Sequence, residues 1–356
     1  MKLLITGGCG FTGSTLAQAF RELDPTIEIY AVDNLARPGS EENRLRLNAL
    51  GVRVVHGDVR CPSDLQALPG VEWVIDAAAN ASVLAGVSSN ASSQQLLEHN
   101  LVGTINVLEY CKRNKAGFIL LSTSRVYSIA PLITLPLAVE NNAYGPRLDS
   151  CSVVGLSKTG VAESFSTAPP VSLYGATKLA SELLAVEYGE AFGLPIWINR
   201  CGVLAGAGQF AQPDQGIFAF WINSYLRRRP LRYIGFDGRG YQVRDCLHPR
   251  DVAALVWKQI QSPDRQVERV QNVAGGVDSA MSLAQLSEWC AGRFGKHVIG
   301  RDSGSRTYDV PWMVLDSTRA KEQWDWQPTL SREQILEEIA LHAEAHPEWL
   351  EISSSR

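Results

Sequence analysis

The sequence contains no long run of apolar residues. Its apolar stretches fall far short of the ~20 residues that a transmembrane helix requires, so we expect no membrane span. The amino terminus is also unlike a signal peptide, because residues 3–5 form a very short apolar stretch that glycines follow at once. Together these absences predict a cytoplasmic protein with no membrane partner.

The sequence also lacks any clustering of cysteine or histidine. Its 7 cysteines are dispersed without a C-x-x-C pair, and its 6 histidines show no metal-ligand spacing. An odd, dispersed set of cysteines is typical of free thiols in a reducing compartment. We therefore predict neither disulfides nor a bound metal.

Neither sign of charge dominates. The formal net charge is -4, and the basic run 227–229 is too short to form a nucleic-acid surface. No internal repeat or low-complexity tract is present. The sequence predicts no nucleic-acid partner, and its length allows a sizeable core and two subdomains.

Short apolar segments alternate with helical patterns through the first two-thirds of the chain. The segments typical of buried strands are residues 3–5, 28–32, 52–56, 73–77, 118–122 and 196–200. A helix is predicted over residues 93–114, where leucine and isoleucine recur at helical spacing. Apolar strands separated by helices predict an α/β fold with a doubly wound parallel sheet of the Rossmann type.

The alternation stops after residue 200. We predict a dinucleotide-binding Rossmann domain of residues 1–201 with about 236–270, and a smaller mixed α/β substrate lobe of 202–235 and 271–356. Residues 128–172 are rich in proline, serine and glycine, which predicts a long irregular segment. Such segments are commonly functional, so this one is expected to form a lid or a wall of the active site.

Three glycines follow the first predicted strand at intervals of three. Gly7, Gly10 and Gly13 permit a tight turn and a close approach of the backbone to phosphates. The helix predicted to follow them would point a positive dipole end at a pyrophosphate. A glycine-rich turn without a ligand has the same pattern, so the motif needs support from elsewhere.

Asp33 supplies that support. It follows the second predicted strand, 20 residues after Gly13, where a carboxylate meets the adenosine ribose of NAD. A carboxylate there disfavours the 2′-phosphate of NADP, although Arg37 nearby leaves NADP open. Asp58 follows the third strand and is either an adenine contact or a turn residue.

Tyr174 and Lys178 lie one helical turn apart. A lysine charge beside a tyrosine lowers the tyrosine pKa, and the phenolate can then remove a hydroxyl proton while a hydride leaves the adjacent carbon. The pair alone is common in helices. It gains weight from Ser122, Thr123 and Ser124, which end the fifth predicted strand at the sheet edge where ligands bind.

In combination these motifs resemble the extended short-chain dehydrogenase/reductase family of NAD-dependent nucleotide-sugar epimerases and dehydratases. The matching pieces are residues 6–13, 33–34, 58–59, 100–104, 122–127, 174–178 and 244–248. The resemblance covers most of the chain. It implies NAD as a recycled cofactor, a nucleotide-sugar substrate, and a homodimer paired through the helix at 93–114 and the helix that carries Tyr174.

The resemblance also implies roles for individual residues. The catalytic residues are expected to be Thr123, Tyr174 and Lys178. The residues expected to bind the cofactor are Gly7, Gly10, Phe11, Thr12, Gly13, Asp33, Asn34, Asp58, Val59, Ala77, Ala79, Asn100, Ser122, Tyr174 and Lys178. The residues expected to bind the substrate are Ser124, Arg200, Gln209, Phe210, Gln215, Arg244 and Arg306, of which the last two could equally be surface arginines.

Two segments favour one branch of the family. Residues 209–216 and 240–245 resemble epimerases that act on CDP-sugars at C2. Ser124 and Arg125 follow Thr123 where dehydratases of the family keep an acidic pair, which argues against 4,6-dehydration. A ketoreductase, a decarboxylase, a 4,6-dehydratase and a non-catalytic NAD-binding regulator remain the alternatives. Asp76, Ser128 and Val203 depart from the family pattern and leave the sugar open.

Overall fold

The computed structural model describes residues 1–87, 92–150, 152–212 and 215–354. Within these ranges the strands are β1 (Lys2–Thr6), β2 (Glu28–Asp33), β3 (Arg53–His56), β4 (Trp73–Asp76), β5 (Gly117–Thr123), β6 (Leu137–Glu140), β7 (Ala143–Pro146), β8 (Leu156–Ser157), β9 (Gly160–Val161), β10 (Ile196–Cys201), β11 (Val203–Leu204), β12 (Leu231–Ile234), β13 (Val243–Leu247), β14 (Val270–Val273), β15 (Ala280–Ser282), β16 (Ile299–Asp302) and β17 (Trp312–Met313). The α-helices are α1 (Phe11–Leu23), α2 (Ser40–Ala49), α3 (Pro62–Gln66), α4 (Ser93–Leu97), α5 (Gly103–Asn114), α6 (Ile129–Ile133), α7 (Ser172–Phe192), α8 (Ile217–Leu226), α9 (Pro249–Gln261), α10 (Leu283–Phe294), α11 (Thr318–Trp324), α12 (Arg332–Ala345) and α13 (Trp349–Ser354).

The central sheet has seven strands in the order β14-β10-β5-β4-β1-β2-β3, and every neighbouring pair is parallel. The six predicted strands are β1 to β5 and β10, so the predicted Rossmann-type fold is confirmed. The chain order reverses between β1 and β4. A crevice opens at the carboxyl ends of the strands at such a reversal, and ligands bind there in open α/β sheets.

Alternate residues of each central strand enter two separate cores. Leu3 and Ile5 pack with Phe20 on one face of the sheet, and Leu4 packs with Phe118 on the other. All five of these side chains are fully buried. Because both faces are covered, the strands are apolar at consecutive positions, which is why the sequence reveals them.

The seventh strand, β14, was missed in the sequence analysis because two of its four residues are polar and buried. Gln271 donates a hydrogen bond to Gln323 over 2.8 Å, and Asn272 donates one to the Val161 carbonyl over 2.9 Å. Satisfied polar groups can occupy a buried strand without any apolar signal. β14 also crosses the lobe boundary predicted at residue 271. The division into two lobes stays a prediction.

The helix predicted over residues 93–114 is present and contains a π-helical turn. α4 leads into the turn Glu98–Val102, and α5 continues from it. The Asn100 carbonyl lies in this turn and accepts hydrogen bonds from the Thr104 hydroxyl over 3.0 Å and the Ser181 hydroxyl over 3.3 Å. Single π turns of this kind occur most often at functional sites.

The segment 128–172 is more ordered than predicted. It contains α6 and two short hairpins, β6–β7 and β8–β9. Strands of two to four residues are too short to produce a recognisable alternation, which explains the error. A second sheet lies beyond β10, in which β13 pairs with β11, β15 and β17.

Three properties of the described residues concern the predictions about membrane spans, metal sites and disulfides. None of their helices combines the length and apolar content that crossing a bilayer needs. No group of three or more potential metal ligands occurs among them. The six described cysteines are free, and Cys151 lies outside the described ranges. A cytoplasmic location stays a prediction.

A buried ion pair joins β10 to α7. The Arg200 guanidinium donates to both carboxylate oxygens of Glu182, at 2.7 Å from Nη2 and 3.1 Å from Nε. Ser122 donates to the same carboxylate over 2.5 Å, and the Tyr127 hydroxyl accepts from Arg200 over 3.3 Å. Arg200 and Ser122 thus fasten α7 to the sheet, and their predicted roles in binding substrate and cofactor stay predictions.

We predict that Glu182→Gln lowers the free energy of unfolding by about 3 kcal/mol, because it leaves a buried guanidinium without its counter-charge. Chemical denaturation of the purified protein measures the loss. Glu187→Gln, an exposed position on the same helix, is the matched control and should change stability by less than about 0.5 kcal/mol. Equal losses in both variants would show that the pair has no structural role.

Candidate active site

The glycine loop between β1 and α1 is shaped for a phosphate. Gly7 has a φ of +61°, and a Cβ there would lie 2.8 Å from the Ala78 Cα atom. A Cβ on Gly13 would collide with the Gly7 carbonyl oxygen. Gly10 is the N-cap of α1. Because it has no side chain, no side-chain oxygen caps the first backbone amides of the helix. Such amides bind anions.

Asp33 lies beside this loop at the end of β2. Its Oδ2 accepts the Cys9 amide over 2.9 Å and its Oδ1 accepts the Leu35 amide over 2.8 Å. Burial raises the pKa of the Asp33 carboxyl, and these amides act in the opposite direction. The carboxylate is therefore fixed within the predicted ribose-binding position.

Asn34 and Asp58 meet at the end of β2 and β3. The Asn34 amide donates to Asp58 over 2.9 Å, and Arg60 forms an ion pair with Asp58 at 2.7 Å. The Arg60 hydrogen bonds hold the pKa of Asp58 well below its usual range. The structure thus brings Asp33, Asn34 and Asp58 to one edge of the crevice.

The opposite wall follows β4. Ala77 and Ala79 belong to the segment after β4, which passes directly against Gly7. Asn80, the residue that follows Ala79, is bonded to Asn100. The Asn80 amide donates to the Asn100 side chain over 2.8 Å, and Asn100 donates back to the Asn80 carbonyl over 3.1 Å. The remaining predicted cofactor residues near the crevice, Phe11, Thr12 and Val59, lie at the start of α1 and after β3.

Tyr174 and Lys178 lie in the first two turns of α7, and their side chains are buried. Burial raises the pKa of Tyr174 to about 12, whereas a hydrogen bond with the Thr123 side chain and the charge of Arg125 lower it. Burial lowers the pKa of Lys178, and the charge of Asp76 raises it. The structure therefore brings the three predicted catalytic residues together.

Asp76 is a residue of this site that sequence reasoning did not assign. It is 1% exposed at the end of β4 and accepts hydrogen bonds from the Thr6 hydroxyl over 2.5 Å and the Thr104 hydroxyl over 2.8 Å. Its charge acts on Lys178. The available signal was an aspartate that ends an otherwise apolar strand, and it was interpreted only as a departure from the family pattern.

Arg244 and Arg306 lie near a third arginine, Arg125. Arg244 forms an ion pair with Asp309 at 2.8 Å and also donates to the Val310 carbonyl over 2.9 Å. Burial and the charges of Arg244 and Arg306 lower the pKa of Arg125. This arginine cluster, defined as Arg125, Arg244 and Arg306, reaches α7 through Arg125, whose carbonyl packs against Gly175, the residue after Tyr174.

A narrow cavity adjoins the cluster. Ser124, Arg125 and Tyr308 line it together with Ser172, and most of its other lining residues are apolar. Ile129, Leu132 and Val171 of the segment predicted to wall the site are among them. Ser124 is therefore placed beside the predicted substrate region.

Gln209, Phe210 and Gln215 contact residues outside the arginine cluster. Phe210 stacks on Trp349 with ring centroids 5.6 Å apart, and the Arg37 guanidinium lies 4.5 Å above the Phe210 ring. Arg37 also donates to Gln215 over 2.8 Å. These contacts bring Phe210 and Gln215 to Arg37 in the loop after β2, and the role of the three residues in binding the substrate stays a prediction. Of the segment 209–216, residues 213 and 214 lie outside the described ranges.

The comparisons with known proteins agree with this geometry. The model of the NAD dependent epimerase/dehydratase family matches residues 3–274. The chain belongs to this family. The predicted enzyme class and the predicted cofactor, NAD, are those of the family, and the glycine cradle and Asp33 suit that cofactor.

Individual relatives cover most of the chain. It is 28% identical to a CDP-paratose 2-epimerase of Salmonella typhi, over 93% of this chain and 96% of the relative. It is 27% identical to a dTDP-glucose 4,6-dehydratase of Mycolicibacterium smegmatis, over 72% of this chain and 68% of the relative. The fold matches a UDP-glucuronic acid 4-epimerase of Bacillus cereus, solved with UDP-glucuronic acid and NAD, at a TM-score of 0.76, 23% identity, and coverage of 97% and 99%.

We predict that Gly13→Ala abolishes retention of NAD, because the added methyl collides with the Gly7 carbonyl in the phosphate cradle. The measurement is the amount of NAD released on denaturing the purified protein. Gly292→Ala on α10 is the control, since a methyl there meets open space. Equal NAD content in the two variants, both folded by circular dichroism, would contradict the assignment of the loop.

Proposed function

We propose that this protein is an NAD-dependent nucleotide-sugar epimerase that acts at C2 of a CDP-sugar. The observation that carries the proposal is that Thr123, at the end of β5, is connected through the Arg125 backbone to the first turn of α7. Tyr174 and Lys178 are buried one helical turn apart on that helix, and no carboxylate follows Thr123. The similarity to CDP-paratose 2-epimerase over nearly the full chain supports the choice of CDP and C2.

The glycine loop and Asp33 would hold NAD, which would supply the hydride acceptor and donor for oxidation of the sugar carbon and its reduction from the other face. Tyr174 removes the hydroxyl proton of the reacting carbon as the ketone forms, and gives a proton back when the ketone is reduced. Lys178 stabilises the phenolate through its positive charge. Thr123 holds the hydroxyl and the phenol in position by hydrogen bonding.

The residues around Thr123 disfavour dehydration. Elimination of water needs a general acid beside the leaving hydroxyl. Ser124 has no acidic group, and Arg125 carries a guanidinium that remains protonated. A 4,6-dehydratase such as the relative of 27% identity therefore requires chemistry that these two positions do not supply.

The test is Tyr174→Phe, which keeps the ring and removes the proton-transferring hydroxyl. We expect a loss of epimerisation of about 10²–10⁴-fold, because proton transfer by a positioned group contributes about that much. NAD content should stay unchanged. Tyr188→Phe, on the same helix as Tyr174, is the control. It removes a hydroxyl that donates to Glu109 of α5.

Inversion at one carbon is followed by NMR with CDP-, UDP-, dTDP- and GDP-sugars. An epimerase works without added NADH, whereas a ketoreductase consumes it. Unchanged turnover in Tyr174→Phe would contradict the proposed mechanism. A requirement for added NADH would show that the protein is a reductase and not an epimerase.

We also propose that the protein is a homodimer paired through α4, α5 and α7. Four large apolar residues on α4 and α7 are exposed: Leu97, Leu173, Leu183 and Phe192. Exposed apolar side chains that share one surface mark an interaction site. Neighbouring helices of this kind can pair in an isologous interface.

We predict that Leu183→Glu converts the dimer to a monomer, because a carboxylate would be buried at the interface without a partner. Light scattering of the purified protein measures the mass. Leu341→Glu on α12 is the matched control, since Leu341 is 55% exposed and Leu183 is 63% exposed. A monomeric wild-type protein, or a dimeric Leu183→Glu variant, would contradict the proposed interface.

A further inference from the structure

Arg125 is fixed to both catalytic elements of the site through its backbone. Its amide donates to the Thr123 hydroxyl over 3.2 Å at the end of β5. Its carbonyl occupies the space where a Cβ on Gly175 would stand, so the first turn of α7 packs directly on it. The position of Arg125 relative to Thr123 and Tyr174 is therefore set by the fold and not by a flexible loop.

The side chain of Arg125 has little to hold it. Its Nη1 donates to the Tyr308 carbonyl over 3.4 Å, which is long for a hydrogen bond. Among the described residues no carboxylate is bonded to this guanidinium, whereas Arg244 has Asp309 at 2.8 Å. Most of the donors of Arg125 are thus available to a ligand.

The local charge balance is positive. The charges of Arg244 and Arg306 act on Arg125 against that of Asp309, and Asp245 is a second carboxylate that acts on Arg244. Three arginines are thus gathered with two carboxylates. The diphosphate of a nucleotide sugar is negative, so it would be attracted to the arginine cluster.

We propose, on the basis of the proposed function, that Arg125 binds the sugar-proximal phosphate of the nucleotide sugar and thereby directs C2 to Tyr174. C2 is bonded to the anomeric carbon that carries the diphosphate, whereas C4 lies on the far side of the ring. An arginine that adjoins both the catalytic tyrosine and the phosphate-binding cluster fits reaction at the nearer carbon.

A purely structural role is the competing explanation. Arg125 would then only support the loop that contains Tyr308, and its charge would not matter for ligand binding. The two explanations differ in one measurable respect. A residue that binds the sugar-proximal phosphate discriminates CDP, which has that phosphate, from CMP, which does not.

The experiment compares CDP and CMP binding by calorimetry to the full-length protein with its cofactor. In the wild type we expect CDP to bind more tightly than CMP. In Arg125→Gln the affinity for CDP should fall about tenfold or more, since a charge-assisted hydrogen bond is lost, and the affinity for CMP should change less than twofold. Arg125→Lys should recover part of the CDP affinity because it restores the charge.

Arg293→Gln is the matched control, because Arg293 pairs with Glu337 and Glu344 away from the cluster. Unchanged CDP affinity in Arg125→Gln, or an equal loss for CDP and CMP, would overturn the role of Arg125 while leaving the proposed function intact. If the wild-type protein binds UDP but not CDP, the choice of CDP is refuted. The same comparison is then made with UDP and UMP, and the loss of UDP affinity relative to UMP affinity in Arg125→Gln decides the role of Arg125.

Discussion

A buried ammonium that is balanced by a buried carboxylate is the interaction on which the active site depends. Lys178 is 2% exposed, and burial of a charge of this kind is unfavourable unless an opposite charge compensates it. Asp76 supplies that charge from the end of β4. Both of its oxygens are occupied by threonine hydroxyls, one from β1 and one from α5. The same carboxylate therefore joins β1 to α5 by hydrogen bonds, and its charge acts on Lys178 of α7.

The arrangement also sets the acid–base chemistry. A tyrosine whose pKa is about 12 is a poor base at neutral pH, because almost none of it is ionised. The charges that can lower this pKa are positive groups at the site. Arg125 already acts on Tyr174 in this direction, and Lys178 lies one helical turn away. The fold thus places its cations on the side of the tyrosine where a negative phenolate must form.

Most of the fold could be predicted from the sequence because the central strands are buried on both faces and are therefore apolar at consecutive positions. The prediction failed where buried polar side chains donate hydrogen bonds to distant parts of the chain, as Gln271 and Asn272 of β14 do, since no pattern of hydrophobicity reports such a partner. The sequence contains Asp76 and Arg125 but does not show which residues they contact. Their importance arises from Lys178, Thr104 and Tyr308, which approach them only in the folded chain.

The segment 209–216 shows the limit of resemblance as a guide to function. Its likeness to CDP-sugar epimerases led to the expectation that it binds substrate, yet Phe210 and Gln215 contact Arg37 in the loop after β2, and Phe210 stacks on Trp349 of α13. These contacts show where the segment packs, and its role in binding the substrate stays a prediction. The choice of reaction depends on groups close to Tyr174. Of these, Arg125 differs in charge from the acidic pair that the family resemblance assigns to dehydratases at this place, and its backbone amide is bonded to Thr123.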